Sequence, residues 1–157
     1  MFVSPTRVHG KQAGLLIAVP MVKLLAGSIL PNRESETVVV ASKKHFERVH
    51  ADTNLVDNGI ENVRHKEIGV PTYFCDPGCP WQKPHIENSI GLVRRWFLPK
   101  GTNLDDVSDE VFQSQLHLLN GKYRKSLGYQ SAYEAALEAG IIDRIPKVPL
   151  SKAIAFR

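Results

Sequence analysis

The apolar positions change period along the chain, and each change marks a boundary between elements. Near the start, Gly14-Leu-Leu-Ile-Ala-Val19 and Lys23-Leu-Leu-Ala-Gly-Ser-Ile-Leu30 are short apolar runs separated by Pro20. Runs of this length bounded by breakers suit buried strands better than helices. Phe2 to His9 supplies a weaker strand before them. From Glu34 to His50, Val38, Val39, Phe46 and Val49 recur among Lys and Glu, which predicts a helix covering one face of a sheet. Thr53-Asn-Leu-Val56 predicts a short strand that runs into Asp57-Asn58-Gly59, a turn signal because Asn and Gly accept positive φ. Asp57 therefore falls at a strand end.

Val70 to Cys75 predicts another strand, stopped by Asp76-Pro77-Gly78 and then Pro80. After Pro84 the apolar residues Ile86, Ile90, Val93 and Phe97 form one helical stripe, which ends at Pro99-Lys100-Gly101. Ser108 caps a further helix with Asp109 and Glu110 in its first turn, an apolar face of Phe112, Leu116 and Leu119, and a close at Asn120-Gly121. Ser131-Ala-Tyr-Glu134 is a capping box for a short helix that Gly140 ends. Beyond Pro146 no periodicity remains, and no internal repeat occurs anywhere. The expected architecture is α/β: a core over residues 1–101, a C-terminal helical extension over 102–145, and a tail over 146–157.

Composition narrows the class without naming it. A chain of 157 residues, 43% hydrophobic and 23% charged, has apolar material for one compact domain. No run of eighteen apolar residues exists, and Gly14 to Val19 is too short and wrongly flanked for a signal peptide or a membrane span. A cytoplasmic protein without a membrane partner is expected. Twenty Lys and Arg against sixteen Asp and Glu give +4, compatible with a phosphate-rich partner without demanding one. Cys75 and Cys79 bracket a turn, but a structural zinc would need two more ligands and there is no second cysteine pair. They read as small residues at a strand end and in a turn.

Two carboxylates stand out by position. Asp57 lies at the carboxyl end of a strand, and Glu87 lies in the first turn of a helix after a proline-rigid loop, where open α/β sheets place their sites. Hard divalent cations want oxygen ligands, so two or three converging carboxylates plus a substrate phosphate suffice. The plain alternative is also available from spacing alone. An Asp before Asn-Gly forms turns, and a Glu in a first turn complements the helix dipole.

The local sequence decides between these readings. Val56-Asp-Asn-Gly-Ile-Glu61, Tyr73-Phe-Cys-Asp-Pro-Gly-Cys-Pro-Trp-Gln82, Ile86-Glu-Asn88, Gly91-Leu-Val-Arg-Arg-Trp-Phe-Leu-Pro-Lys-Gly-Thr102 and Leu119-Asn-Gly-Lys-Tyr-Arg-Lys-Ser-Leu-Gly-Tyr129 occur in this order, with Ser131-Ala-Tyr-Glu134 after them. Together they resemble the integrase core of bacterial insertion-sequence transposases of the carboxylate-triad type. The resemblance implies a ribonuclease-H-like fold, a mixed sheet with flanking helices in the order β-β-β-α-β-α-β-α, and DNA strand transfer. By the same resemblance Asp57 matches the second catalytic aspartate and Glu87 the glutamate, both as ligands of Mg²⁺ or Mn²⁺. In such a family the metals activate the attacking oxygen and stabilise the leaving one. Asn88 lies beside that site, and Trp81 in the preceding loop is expected to pin the loop to the core rather than stack on a base.

The departures matter as much. Matching the family's Gly-Lys pair to Gly10-Lys11 puts Thr6 where the first aspartate belongs, and no acidic residue precedes Glu34. A neutral hydroxyl cannot bridge a Mg²⁺ pair. Pro20-Met-Val-Lys23 replaces a charged turn, and Asn62 stands at an aromatic position. The 29 residues between Asp57 and Glu87 are about one helical turn fewer than the family pattern. A truncated or decayed copy with impaired catalysis is the reading these departures favour. The alternative is a non-catalytic module that binds DNA or an intact transposase, and a third treats residues 102–140 as a protein-interaction helix pair. DNA contact is expected from Lys83, Asn88, Arg94, Arg95, Lys100, Lys122, Arg124 and Lys125. Arg94 and Arg95 cannot both face the apolar stripe, and the Lys-Tyr-Arg-Lys run follows a helix end. A homo-oligomer is a further expected partner state.

Overall fold

The computed structural model describes residues 2–4 and 11–147. Thr6 and the tail beyond Lys147 lie outside the described residues. Strands β1 (Phe2–Ser4), β2 (Ala13–Val19) and β3 (Leu24–Leu30) form an antiparallel sheet in that spatial order. Ala13 pairs with Leu30 and Val19 with Leu24. The turn between them includes Lys23 at φ 56°, a left-handed conformation uncommon for a residue with a side chain. Helix α1 (Ser35–Phe46) follows, then β4 (Asn54–Val56) and β5 (Thr72–Phe74), a parallel pair. Helices α2 (Pro84–Trp96), α3 (Asp109–Asn120) and α4 (Ala132–Glu138) follow among the described residues, with a small hairpin of β6 (Tyr123–Arg124) and β7 (Gln130–Ser131) before α4.

Both faces of the sheet are covered, which is why β2 reads as a continuous apolar run instead of alternating. Ala13, Leu15 and Ile17 pack on one side with Val38 and Val39 of α1, Val56 and Ile68. Leu16 and Leu25 point the other way, against Ile86 and Val93 of α2 and Phe112, Leu116 and Leu119 of α3. Val22 and Leu24 at the β2–β3 turn receive Ala132, Tyr133 and Ala136 of α4. Helices α3 and α4, which the sequence places in a C-terminal extension, thus set their apolar faces on the sheet.

Helix α3 also meets β3 through polar side chains. Asp109 Oδ1 accepts the Ile29 N–H at 2.8 Å, the Gln113 side-chain amide donates to the Gly27 carbonyl, and Asn120 both accepts from the Leu25 N–H (2.9 Å) and donates to its C=O (2.7 Å). Leu25, Gly27 and Ile29 alternate along the strand, so their outward backbone groups recur every second residue. Gly27 permits the close approach. A Cβ there would lie 2.2 Å from the Leu15 carbonyl oxygen and 3.2 Å from Phe112.

The helix expected between β4 and β5 does not form. Residues Ile60–Asn62 and His65–Ile68 make two 3-10 turns, the second closed by Gly69 at φ 85°. Ile60 and Val63 are exposed, so this segment has no apolar stripe to bury, and without one a short helix is not stable. The turn after β4 differs too. Gly59 is extended at φ −85° and Asn58 is not left-handed either, so their role is hydrogen bonding rather than positive φ.

Candidate active site

Asp57 is the residue that follows β4, and three hydrogen bonds fix the backbone around it. The Asn62 amide donates to the Asp57 carbonyl (3.0 Å), the Asn58 amide to the Cys75 carbonyl (2.6 Å), and the Cys75 N–H to the Val56 carbonyl (2.9 Å). Asn62 is buried. A polar residue at a position where the resembled family has an aromatic thus positions the site's own backbone, a role with no signal in the sequence. The parallel pairing of Val56 with Phe74 brings the strand ends level, so the loop after β5 leaves beside Asp57.

That loop is braced internally. Asp76 accepts from the Gln82 side-chain amide (2.7 Å) while its own N–H donates to Gln82 Oε1 (2.8 Å), and the Cys79 N–H returns to the Asp76 carbonyl (3.2 Å). Asp76 is thereby occupied in holding its Pro-Gly turn. Trp81 is 70% exposed, so it does not pin the loop to the core as expected. The Gln82 clamp holds the loop instead, which leaves the indole on the surface. Cys75 is buried and Cys79 half-buried, both with free thiols. Burial pushes the Cys75 thiol up, as expected for an inert small residue.

Lys83 immediately precedes α2, whose first residue is Pro84. Its ammonium donates to Asp57 Oδ1. The Lys83 side chain is only 14% exposed and that of Asp57 36%. Loss of water holds the ammonium below the usual lysine range, and the Glu87 carboxylate one turn along α2 acts in the opposite direction. One cation is therefore under the influence of both carboxylates singled out in the sequence. Glu87 and Asn88 are themselves exposed.

Among the described residues no group of three or more His, Cys, Asp or Glu is placed to hold a metal ion. Asp57 and Glu87 offer oxygen donors suited to Mg²⁺ or Mn²⁺. An ammonium in contact with one of them repels a second cation. The donor set on the described residues consequently does not fit a pair of divalent metals.

The basic side chains expected on DNA fall into different environments. Arg95, Lys100 and Lys125 are exposed and Arg94 is half-buried. Lys122 lies over the Trp96 ring, 4.0 Å from its centroid, which joins the end of α2 to the segment after α3. Arg124 donates to the Leu119 carbonyl at 3.2 Å, adding to the Lys122 N–H that the same carbonyl accepts at 3.4 Å near the end of α3. Lys83 is turned inward to Asp57. No helix among the described residues is long and apolar enough to cross a membrane.

Three antiparallel strands, a helix, a parallel strand pair and further helices on the flanks make the mixed α/β fold expected of a ribonuclease-H-like domain. The structure matches that of the catalytic core domain of BIV integrase with a TM-score of 0.68 over 88% of this chain and 93% of that one, at 17% identity. In sequence the chain is 43% identical over 100 residues to the transposase of insertion sequence IS1086 from Cupriavidus metallidurans, covering 60% of this chain and 29% of that protein. It is 38% identical over 89 residues to transposase InsI of IS30A from Escherichia coli K12, covering 54% and 23%. The transposase of IS4351 from Bacteroides fragilis is 33% identical over 104 residues, covering 64% and 31%. No protein-family model matches. The chain is thus similar in sequence to insertion-sequence transposases and in fold to an integrase core, and it spans less than a third of the length of these relatives.

Proposed function

We propose that this chain is a DNA-binding integrase core of an insertion-sequence transposase, acting in DNA transposition, with catalysis impaired in this copy. The observation that carries the reading is the placement of Asp57 at the end of β4 with Glu87 acting on the same neighbouring ammonium, in a fold shared with an integrase core. Asp57 and Glu87 are the residues that would hold Mg²⁺ or Mn²⁺. Impairment is favoured by Thr6 standing in the first aspartate's place and by the incomplete donor set on the described residues. The exposed Arg95, Lys100 and Lys125, together with Asn88, Arg94, Lys122 and Arg124, form the DNA-facing set. Lys83 belongs to it only if its contact with Asp57 opens.

A second reading, a non-catalytic module that binds DNA or an intact transposase, is favoured by the lysine already held on Asp57. DNA binding and strand chemistry separate the two. The chain should bind duplex DNA with an affinity that falls steeply as salt rises. Replacing Arg94, Arg95, Arg124 and Lys125 together should flatten that slope. No strand transfer is expected with Mg²⁺ or Mn²⁺. Metal-dependent nicking by the native chain, abolished by Asp57→Ala and by Glu87→Ala, would refute impairment. Binding that ignores salt would refute the DNA-binding core itself.

A further inference from the structure

A carboxylate partly withdrawn from water is favoured by a cation beside it, which offsets its charge. Here the neutralising group is visible. Lys83 reaches Asp57 across 26 positions of sequence, and its ammonium is shielded from water while feeling Glu87. Its delivery is rigid. The loop before it is clamped by the paired Asp76 and Gln82, and Pro84 fixes the backbone directly after it. The backbone that carries the side chain is thereby fixed within reach of the carboxylate.

We infer that Lys83 is a built-in cation that takes the place of a divalent metal at Asp57 and Glu87, so that metal binds only by displacing it. The inference rests on the reading of those two carboxylates as a cation-binding pair. It offsets one of the site's two carboxylate charges from within: folding needs no metal, and divalent ions meet a positive charge on entry. A lysine is suited to this because its ammonium is compact and its stem flexible, whereas a glutamine of similar length offers hydrogen bonds without charge.

The test uses the full chain and Mn²⁺ as the probe, read by calorimetry, by electron paramagnetic resonance of bound Mn²⁺ and by thermal unfolding. The native chain should show weak Mn²⁺ binding and no rise in melting temperature at millimolar ion. Lys83→Gln should melt lower without metal, recover with Mn²⁺, and bind it about tenfold more tightly or better, equivalent to ~1.4 kcal/mol. Adding Asp57→Asn to Lys83→Gln should abolish the gain. Lys83→Arg keeps the charge and should remain as indifferent to Mn²⁺ as the native chain, which provides a folded comparison if Lys83→Gln does not fold. A folded Lys83→Gln without added Mn²⁺ affinity overturns the inference. So does tight Mn²⁺ binding by the native chain or by Lys83→Arg that Asp57→Asn removes. Salt-dependent DNA binding measured on the same samples separates the failures. If it persists while the Mn²⁺ response is absent, this inference falls and the proposed function stands; if it is lost while the Mn²⁺ gain is present, the reverse holds.

Discussion

Acidification should unlock the fold at His45. This histidine sits in the last turn of α1, where a helix end would favour a positive imidazole. It is only 8% exposed, and Ser28 Oγ on β3 lies 2.8 Å from its Nε2. Burial is the largest influence and holds its pKa down at about 4; the Asp109 carboxylate pulls upward, and Lys44 and Arg48 add to the depression. The unfolded chain has the ordinary value of 6.5, so between pH 6.5 and 4 the unfolded state binds more protons than the folded one. The stability is therefore fully present above pH 6.5 and is lost as pH falls through 4. Linkage over that interval gives about 2 kcal/mol lost by pH 5 and about 3 kcal/mol by pH 4. The assay is urea unfolding of the native chain and of His45→Gln at pH 7.5, 6, 5 and 4, since glutamine retains a partner for Ser28 and cannot titrate. The stability difference between the two chains should shrink by those amounts. A difference that stays flat across the range, or an imidazole resonance that titrates near pH 6.5, would refute the reasoning.

Other expectations follow from contacts between α3, α4 and the sheet. Asn120→Ala strips both hydrogen bonds from the buried Leu25 backbone and should cost about 2–4 kcal/mol in urea unfolding, because an unmet buried group bears its full desolvation cost. Loss under 1 kcal/mol would show that water takes the amide's place. Gly27→Ala drives a methyl into the Leu15 carbonyl and Phe112, and should lose ~2–3 kcal/mol or fail to fold. An unchanged melting temperature would contradict the close approach. Ser131→Ala removes one half of the capping box and should cost about 1 kcal/mol, with Glu134→Ala costing less because its carboxylate is only the returning half. Equal stability of all three chains would mean that α4 is held by Ala132, Tyr133 and Ala136 alone.

Apolar period carried most of the fold into the sequence. Strands β2 and β3, the stripe of α2 and the Ser108 cap of α3 were each legible because burial on two faces, burial on one stripe and a polar cap leave distinct patterns. The helix that the family order implies between β4 and β5 is replaced by two 3-10 turns, in a segment whose Ile60 and Val63 are exposed. The β6–β7 hairpin, two residues on each strand, is too short to show any period. At the site, what the sequence made legible is placement: Asp57 follows a strand and Glu87 lies in a first helical turn. The Lys83 contact was not legible, because a lysine before a proline looks the same whether it meets solvent or a carboxylate far away in sequence. In sequence Asp109 reads as a first-turn acid and Asn120 as part of a helix stop, and Gln113 carries no reading of its own. Polar side chains spent on a strand's backbone leave no hydrophobic trace.

Those three side chains also bear on how copies of this chain can associate. β3 is the outermost strand of the antiparallel sheet on its side, and an outermost strand ordinarily presents a row of unpaired N–H and C=O groups on which another chain can extend the sheet. Here α3 serves as a dummy strand. Its twelve residues from Asp109 to Asn120 reach about 16 Å from end to end, comparable with the reach of β3 from Ile29 to Leu25, and it runs the opposite way, as an antiparallel neighbour would. Any assembly of this protein along that side must therefore use helix surfaces and leave the sheet closed, and a substitution that frees the Leu25 backbone is also one that opens a route to intermolecular β-pairing and aggregation.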